Sequence, residues 1–213
     1  MVTAWSASES SNDVSLVSAA RDGDRAAFGG LYARYARMVH GILLARIPAG
    51  EVDDLVQDVF LRALPKLHTL RDASRFGAWL AAIARNRATD YHRQSKSAAV
   101  NCDSLEEEKT EGPVSDGVQE REAAAILEVV RSLPETYRET LILRLVEGMT
   151  GPEIAARTGL TPGSVRVNLH RGMQQLREKL GWRAGGSDTR PGQSINDRAS
   201  AQGKQDPPKR NKL

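Results

Sequence analysis

Three sets of side chains have the types and spacing to do recognition chemistry. Asp54, Asp58 and Arg62 recur every four residues with Gln57 beside them, so on a helix they stack into one compact polar patch. Such a patch suits a basic partner, and it suits equally a solvated face with an Asp58 to Arg62 pair contributing about 0.3–0.5 kcal/mol. Further on, Arg85, Asn86, Arg87, Asp90 and Arg93 turn an otherwise apolar segment polar and basic. Arginines there could meet phosphates, and Asn86 with Asp90 could contact bases or pair locally with arginine. The third set is Ser164, Arg166, Val167, Asn168, His170 and Arg171. Arginine reaches phosphates or guanine edges, asparagine pairs with adenine, and a valine methyl touches thymine, which is the chemistry of a DNA major groove.

The elements that must position these sets read as helices. Val52, Leu55, Val56, Val59 and Ala63 form an apolar stripe at helical period behind the acidic patch. Ser74 can cap a following helix with Phe76, Trp79, Leu80, Ile83 and Ala84 on its apolar face, and a polar loop, Lys66 to Ala73, joins the two. Upstream, Leu16, Val17 and Ala20 suggest a short helix ending near Gly23. Asp24 then caps a longer one with Phe28, Leu31, Tyr32, Tyr35, Val39 and Ile42 inward, stopped by Pro48 and Gly50. Gly29 and Gly30 inside it each cost up to about 1 kcal/mol relative to alanine, which points to close packing there.

A second helical unit begins near Arg121. Ala124, Leu127, Val130 and Leu133 lie mainly on one side before Pro134 starts a helix with Tyr137, Leu141, Ile142, Leu145 and Val146 inward, ended by a left-handed Gly148. Thr150 and Glu153 form a capping box, Gly159 closes a short helix, and Thr161 with Pro162 restarts the chain. A short helix, a glycine turn and a second helix holding Val165, Leu169, Leu176 and Leu180 inward have helix-turn-helix spacing, with Arg166, Val167, Asn168, His170 and Arg171 outward.

The expected fold is therefore all-α. It comprises a flexible N-terminus over 1–12, a helical domain over 13–94, a flexible acidic linker over 95–120, a helix-turn-helix domain over 121–181 and a disordered tail over 182–213.

Two long stretches carry a family resemblance. VDDLVQDVFLRAL followed by FGAWLAAIARNRATDYHR resembles the promoter-binding domain, region 2, of extracytoplasmic-function (ECF) sigma factors of the sigma-70 family. LPETYRETLILRLVEGMTGPEIAARTGLTPGSVRVNLHRGMQQLREKL resembles region 4, the minus-thirty-five-binding domain of the same family. The first resemblance implies that Asp54, Gln57 and Asp58 contact core RNA polymerase. It also implies that the loop, with His68, Thr69, Leu70 and Arg71 as the residues holding a flipped base, engages the melted minus-ten strand together with the second helix. Phosphate contacts then fall to Arg85, Arg87 and Arg93. The second assigns promoter DNA at minus thirty-five to the outward residues of the recognition helix. The family's usual basic, small polar, basic run after the valine matching Val165 is here Arg166, Val167, Asn168, so the promoter sequence does not carry over. Gly151 and Pro152 also depart from the usual residues before Glu153. The family further implies control by an anti-sigma protein, and a linker that threads the RNA-exit path.

Composition agrees. The 213 residues are 40% hydrophobic and only 5% aromatic, which suits alanine- and leucine-rich helical bundles. The formal charge is only +3, so any argument for nucleic acid rests on where the charges lie. No apolar run approaches the length of a membrane span and no basic apolar leader is present, giving a cytoplasmic, non-inserting, monomeric expectation. Cys102 is the single cysteine, and the four histidines are scattered; no metal, cofactor or redox site is expected. Neither a phosphate-cradling glycine loop nor a nucleophile motif is present, so no enzyme activity is expected. The rival reading is a stand-alone helix-turn-helix regulator whose first domain never meets polymerase.

Overall fold

The structure is a computed structural model, described here for residues 7–101 and 118–181. Among the described residues every regular element is helical. The elements are α1 (Ala7–Arg21), α2 (Arg25–Leu44), α3 (Val52–Ala63), α4 (Phe76–Asn101), α5 (Val118–Arg131), α6 (Glu135–Leu145), α7 (Gly151–Thr158) and α8 (Pro162–Lys179). Short 3-10 turns cover Ala49–Glu51, Leu64–Thr69 and Ala73–Arg75.

Local chemistry sets the boundaries. Asp24 accepts from the backbone N–H groups of Ala26 and Ala27 and so begins α2, as expected. Gly148 and Gly159 take φ of +64° and +77°, and Gly159 closes α7. The capping box is present: Glu153 N–H donates to the Thr150 hydroxyl and the Glu153 carboxylate accepts from Thr150 N–H.

Several expectations are corrected. Ser74 is not the cap before α4. Asp72 instead caps the 3-10 turn Ala73–Arg75 that leads into α4, accepting from Ser74 N–H at 3.0 Å and from the Ser74 hydroxyl at 2.6 Å. The helix α4 runs on to Asn101, past the expected end near Gln94, and α1 starts at Ala7 rather than after Asn12. Leu145 and Val146, expected inside, are 50% and 52% exposed, because α6 ends at Leu145 and the chain turns there. The loop is largely 3-10 turn. The acidic stretch from Asp103 to Asp116, Cys102 and the basic tail lie outside the described residues.

The N-terminal helices pack α3 and α4 against α2, with Leu31, Met38, Ile42, Val59, Phe76 and Leu80 fully buried. Asp13 pins α1 to α2 by accepting from the Tyr35 hydroxyl at 2.6 Å and from Arg34 at 2.7 Å. Burial, then the bond to Asp13, pushes the Tyr35 hydroxyl pKa well up, so it stays a donor. In the C-terminal helices Leu133, Leu141, Ile142, Ile154 and Val165 are buried. Gly172 lets α8 approach α6, since a Cβ there would meet Leu141 at 3.0 Å and Tyr137 at 3.1 Å. Of the two α2 glycines singled out for close packing, only Gly30 has a neighbour, Leu16 at 3.3 Å; Gly29 faces open space.

The two sets of helices share one apolar core. Gly41 of α2 faces Leu143 of α6, and Gly77 of α4 faces the backbone of Arg157 in α7.

Candidate nucleic-acid interface

On α3, Asp54 and Gln57 are exposed, as the helical spacing requires. Asp58 differs: it accepts from Arg62 Nε at 3.0 Å, one turn on, and from Arg87 Nε of α4 through a shorter contact. Burial raises the Asp58 pKa, but the bonds from Arg87 and Arg62 outweigh it and hold the carboxyl below its ordinary range. Arg87 is thus not on the outward basic face. Its side chain is 12% exposed, tied to α3, and its Nη1 is buried without a hydrogen-bond partner. Periodicity places a residue on a stripe but does not show that a neighbouring helix covers that stripe, which is why Arg87 was misplaced.

Along α4, Asn86 and Arg93 are exposed, and Arg93 donates to Asp90 at 2.8 Å, the local pairing that was one of the two readings of Asp90. Arg85 is partly buried and donates to Glu139 of α6 at 2.7 and 3.1 Å. The bond to Glu139 raises its pKa against the effect of burial.

In the loop, His68, Thr69 and Arg71 are exposed, whereas Leu70 is buried at 7%. Arg21 of α1 donates to the carbonyls of Leu67 and Leu70 and fixes the loop against the bundle. An open pocket of about 360 Å³ is lined by Leu70, Arg71, Asp72, Arg75, Ala78 and Trp79. It gathers two of the four loop residues expected at a flipped base and leaves His68 and Thr69 outside its lining. It adds Arg75, which no sequence pattern singled out, and Trp79, expected on an apolar face. The signal for Trp79 was its type: a tryptophan half-buried beside arginines offers a ring on which a base can stack.

The helix α8 begins with Thr161 accepting from Ser164 N–H at 3.1 Å, so Ser164 belongs to the cap as well as to the exposed face. Arg166, Val167, His170 and Arg171 are exposed together on the N-terminal half of α8. Asn168 is a correction: at 7% exposed it points inward, with its amide 3.5 Å from the Thr140 hydroxyl of α6. Val165, Asn168, Gly172 and Leu176 together make the buried face, a three- and four-residue rhythm that excludes Asn168 from the groove side.

The comparisons with known proteins agree with this geometry. The Sigma-70 region 2 model matches residues 31–98 and the Sigma-70 region 4 model matches residues 123–176. RNA polymerase sigma factor CarQ of Myxococcus xanthus is 33% identical over 165 residues, covering 76% of this chain and 93% of CarQ. The chain belongs to the ECF sigma factors of the sigma-70 family. The ECF RNA polymerase sigma-E factor of Escherichia coli (strain K12) is 30% identical over 184 residues, covering 81% of this chain and 96% of that protein. Among solved structures, CnrH in complex with the cytosolic domain of CnrY aligns at a TM-score of 0.55 and 29% identity, over 80% of this chain and 97% of CnrH. The sigma factor RpoE of Bartonella quintana, in complex with the anti-sigma factor NepR, shares the fold at a TM-score of 0.50 and 22% identity, over 72% of this chain and 96% of RpoE. In this sigma factor α1 to α4 contain region 2 and α5 to α8 contain region 4, and the stand-alone regulator falls away as an alternative. No described helix is long and apolar enough to cross a membrane.

Proposed function

We propose that this sigma factor docks on core RNA polymerase through Asp54 and Gln57 with the Asp58 edge of α3, holds the melted minus-ten strand at the loop and α4, and reads minus-thirty-five duplex with α8. At the first site Arg71, Arg75 and Trp79 line the pocket for an unpaired base, while Arg85, Asn86 and Arg93 face the strand backbone. His68 and Thr69 contact the strand outside that pocket. Arg87 positions Asp58 instead of meeting phosphate. At the second, Arg166 and Arg171 supply phosphate or guanine contacts, Val167 and His170 the groove floor, and Ser164 the helix start.

The observation that carries this reading is the shared exposure of Arg166, Val167, His170 and Arg171 on a capped helix within a helix-turn-helix. The chain acts without catalysis of its own, in the cytoplasm where polymerase works. CnrH is seen bound to the cytosolic domain of CnrY and RpoE to the anti-sigma factor NepR, and these likenesses support an anti-sigma partner for this chain as well. Two tethered modules of modest affinity reach useful binding together because the second contact becomes intramolecular. Purified chain added to core polymerase is expected to direct initiation from mapped start sites sharing two upstream elements. Initiation without any shared upstream element would defeat the assignment.

A further inference from the structure

The loop beside the minus-ten pocket has little regular structure of its own to hold it. Leu64–Thr69 is a 3-10 turn, a form whose hydrogen bonds are poorly aligned and which seldom runs far. Beyond it Leu70 (φ −70°, ψ 108°) and Asp72 (φ −121°, ψ 108°) are extended, and residues 70–72 belong to no helix. These three residues line the pocket together with Arg75, Ala78 and Trp79 from the following turn and α4.

The extended stretch is fastened at both ends. At its far end the Asp72 carboxylate accepts from the Ser74 N–H and hydroxyl. At its near end the fastening comes from α1: Arg21, the last residue of that helix, donates through Nε to the Leu67 carbonyl at 3.1 Å and through Nη2 to the Leu70 carbonyl by a shorter contact. The Leu67 carbonyl also accepts from Leu70 N–H at 3.3 Å, so among the described residues it is the Leu70 carbonyl that depends on Arg21. A guanidinium suits two carbonyls three residues apart because its planar fork holds its donors at fixed spacing, whereas an ammonium is a point donor.

The fork is carried by an anchored helix. Val17 of α1 is fully buried, Ala20 is 6% exposed, and Asp13 is bonded to Tyr35 and Arg34 of α2. Both α1 and Arg21 lie ahead of residues 31–98, the span matched by the region 2 model.

We propose that Arg21 is a positioning residue for promoter melting: through the Leu70 carbonyl it fixes the peptide plane that precedes Arg71, and so holds the wall of the pocket in which an unpaired base of the minus-ten strand is captured. The inference rests on the assignment of that pocket to an unpaired base. Arg21 itself contacts neither the strand nor polymerase. Without the fork, residues 70–72 must be ordered against Trp79 at the moment the base enters. That conformational entropy is subtracted from the affinity for the base and not from the affinity for the strand backbone.

The test uses holoenzyme assembled from the full chain and core polymerase. Its probes are single-stranded minus-ten oligonucleotides from a promoter at which that holoenzyme initiates, intact or with an abasic site at each position in turn. At one position the parent is expected to prefer the intact strand about five- to 150-fold, the range for one base stacked on an aromatic ring. Arg21→Ala should lose most of that preference by weakening the intact strand alone, with the abasic strand, core polymerase and upstream duplex bound as before. Arg21→Lys keeps the charge without the fork and should recover little of the preference. Circular dichroism checks that both variants remain helical. Equal weakening on intact and abasic strands, or full recovery in Arg21→Lys, would show a cation acting on the strand backbone and overturn the clasp. A preference that survives Arg21→Ala unchanged overturns it too, while leaving the pocket assignment intact. A parent indifferent to an abasic site at every position would show that the pocket holds no base, and the inference would fall with that reading.

Discussion

The arginines of α4 and the outward arginines of α8 are in opposite states. On α4, Arg85 is held by Glu139, Arg87 by Asp58 and Arg93 by Asp90. On α8, Arg166 and Arg171 are exposed and make no ion pair among the described residues. Helix α8 thus presents its outward arginines as folded, whereas α4 has its arginines already answered by carboxylates, one of them from region 4. The difference shows that net charge says little about readiness to bind nucleic acid. An arginine paired with a buried carboxylate must exchange partners, while one on an open helix face only sheds water and counterions.

The largest expected effect falls on the open side of this comparison. Arg171→Ala or Arg166→Ala should cost about 1–3 kcal/mol of promoter binding, about five- to 150-fold, if the side chain reads a guanine edge. Footprinting of the reconstituted holoenzyme would show the loss confined to the upstream element. The melting temperature of the free chain should not move, since neither residue takes part in the packing of the two regions. A change there would break the distinction.

Next comes Asp58 against Asp54. Both sit on the polar side of α3, but only Asp58 is bonded to a neighbouring helix. Asp58→Ala leaves Arg87 with an unanswered buried guanidinium and should lower unfolding stability by about 1–3 kcal/mol in denaturant titration. Asp54→Ala should leave stability within about 0.5 kcal/mol and weaken binding to core polymerase. Equal stability for the two variants would mean that Asp58 contributes nothing beyond an exposed helix pair.

Much of this was legible in the sequence, and where legibility stops is physical. Caps, glycine turns and apolar stripes are local, so the Asp24 cap, the Thr150 and Glu153 box, Gly159 and the start of α8 at Pro162 could all be read from neighbours in the chain. The family resemblance supplied the division into two modules. What could not be read was long-range pairing: Arg85 with Glu139 spans 54 positions and His40 with Glu147 spans 107. Asn168 misled by its type: its spacing from Val165 and Gly172 puts it on the buried face of α8, but an asparagine among arginines suggests a base contact. Leu145 and Val146 misled because an apolar residue at the right spacing is no longer inside once its helix has ended.

A smaller effect is expected from the cap of α7. Thr150→Ala removes the hydroxyl that answers Glu153 N–H and should cost about 1 kcal/mol, seen as a lower melting temperature. Because α7 also faces α4 through Gly159 and Ala78, loosening it should weaken the packing of the two regions slightly as well.

The smallest effect tests how the two regions hold together as pH changes. His40 of α2 lies 2.6 Å from the Glu147 carboxylate through Nδ1 and 4.0 Å from Asp53 through Nε2, and Arg37 lies 3.7 Å from the other oxygen of Glu147. The hydrogen bond to Glu147 raises the His40 pKa, burial works against it, and the charges of Glu147 and Asp53 add to the rise. Because Glu147 belongs to region 4, this raised value is a property of the packed arrangement. A group whose pKa is higher in one state stabilises that state when protonated. The contribution is therefore complete below the ordinary histidine range near 6.5 and is lost as pH climbs through the raised value. Arg37, 3.7 Å from Glu147, keeps that carboxylate partly answered, so the change is graded, with no sharp switch. Energy transfer between dyes placed on region 2 and on region 4 should fall modestly from mildly acid to mildly alkaline buffer, and His40→Gln should flatten that slope while leaving the helical content intact. A parent chain whose transfer rises with pH would show that protonated His40 opposes the packing, reversing the sign derived from its neighbours.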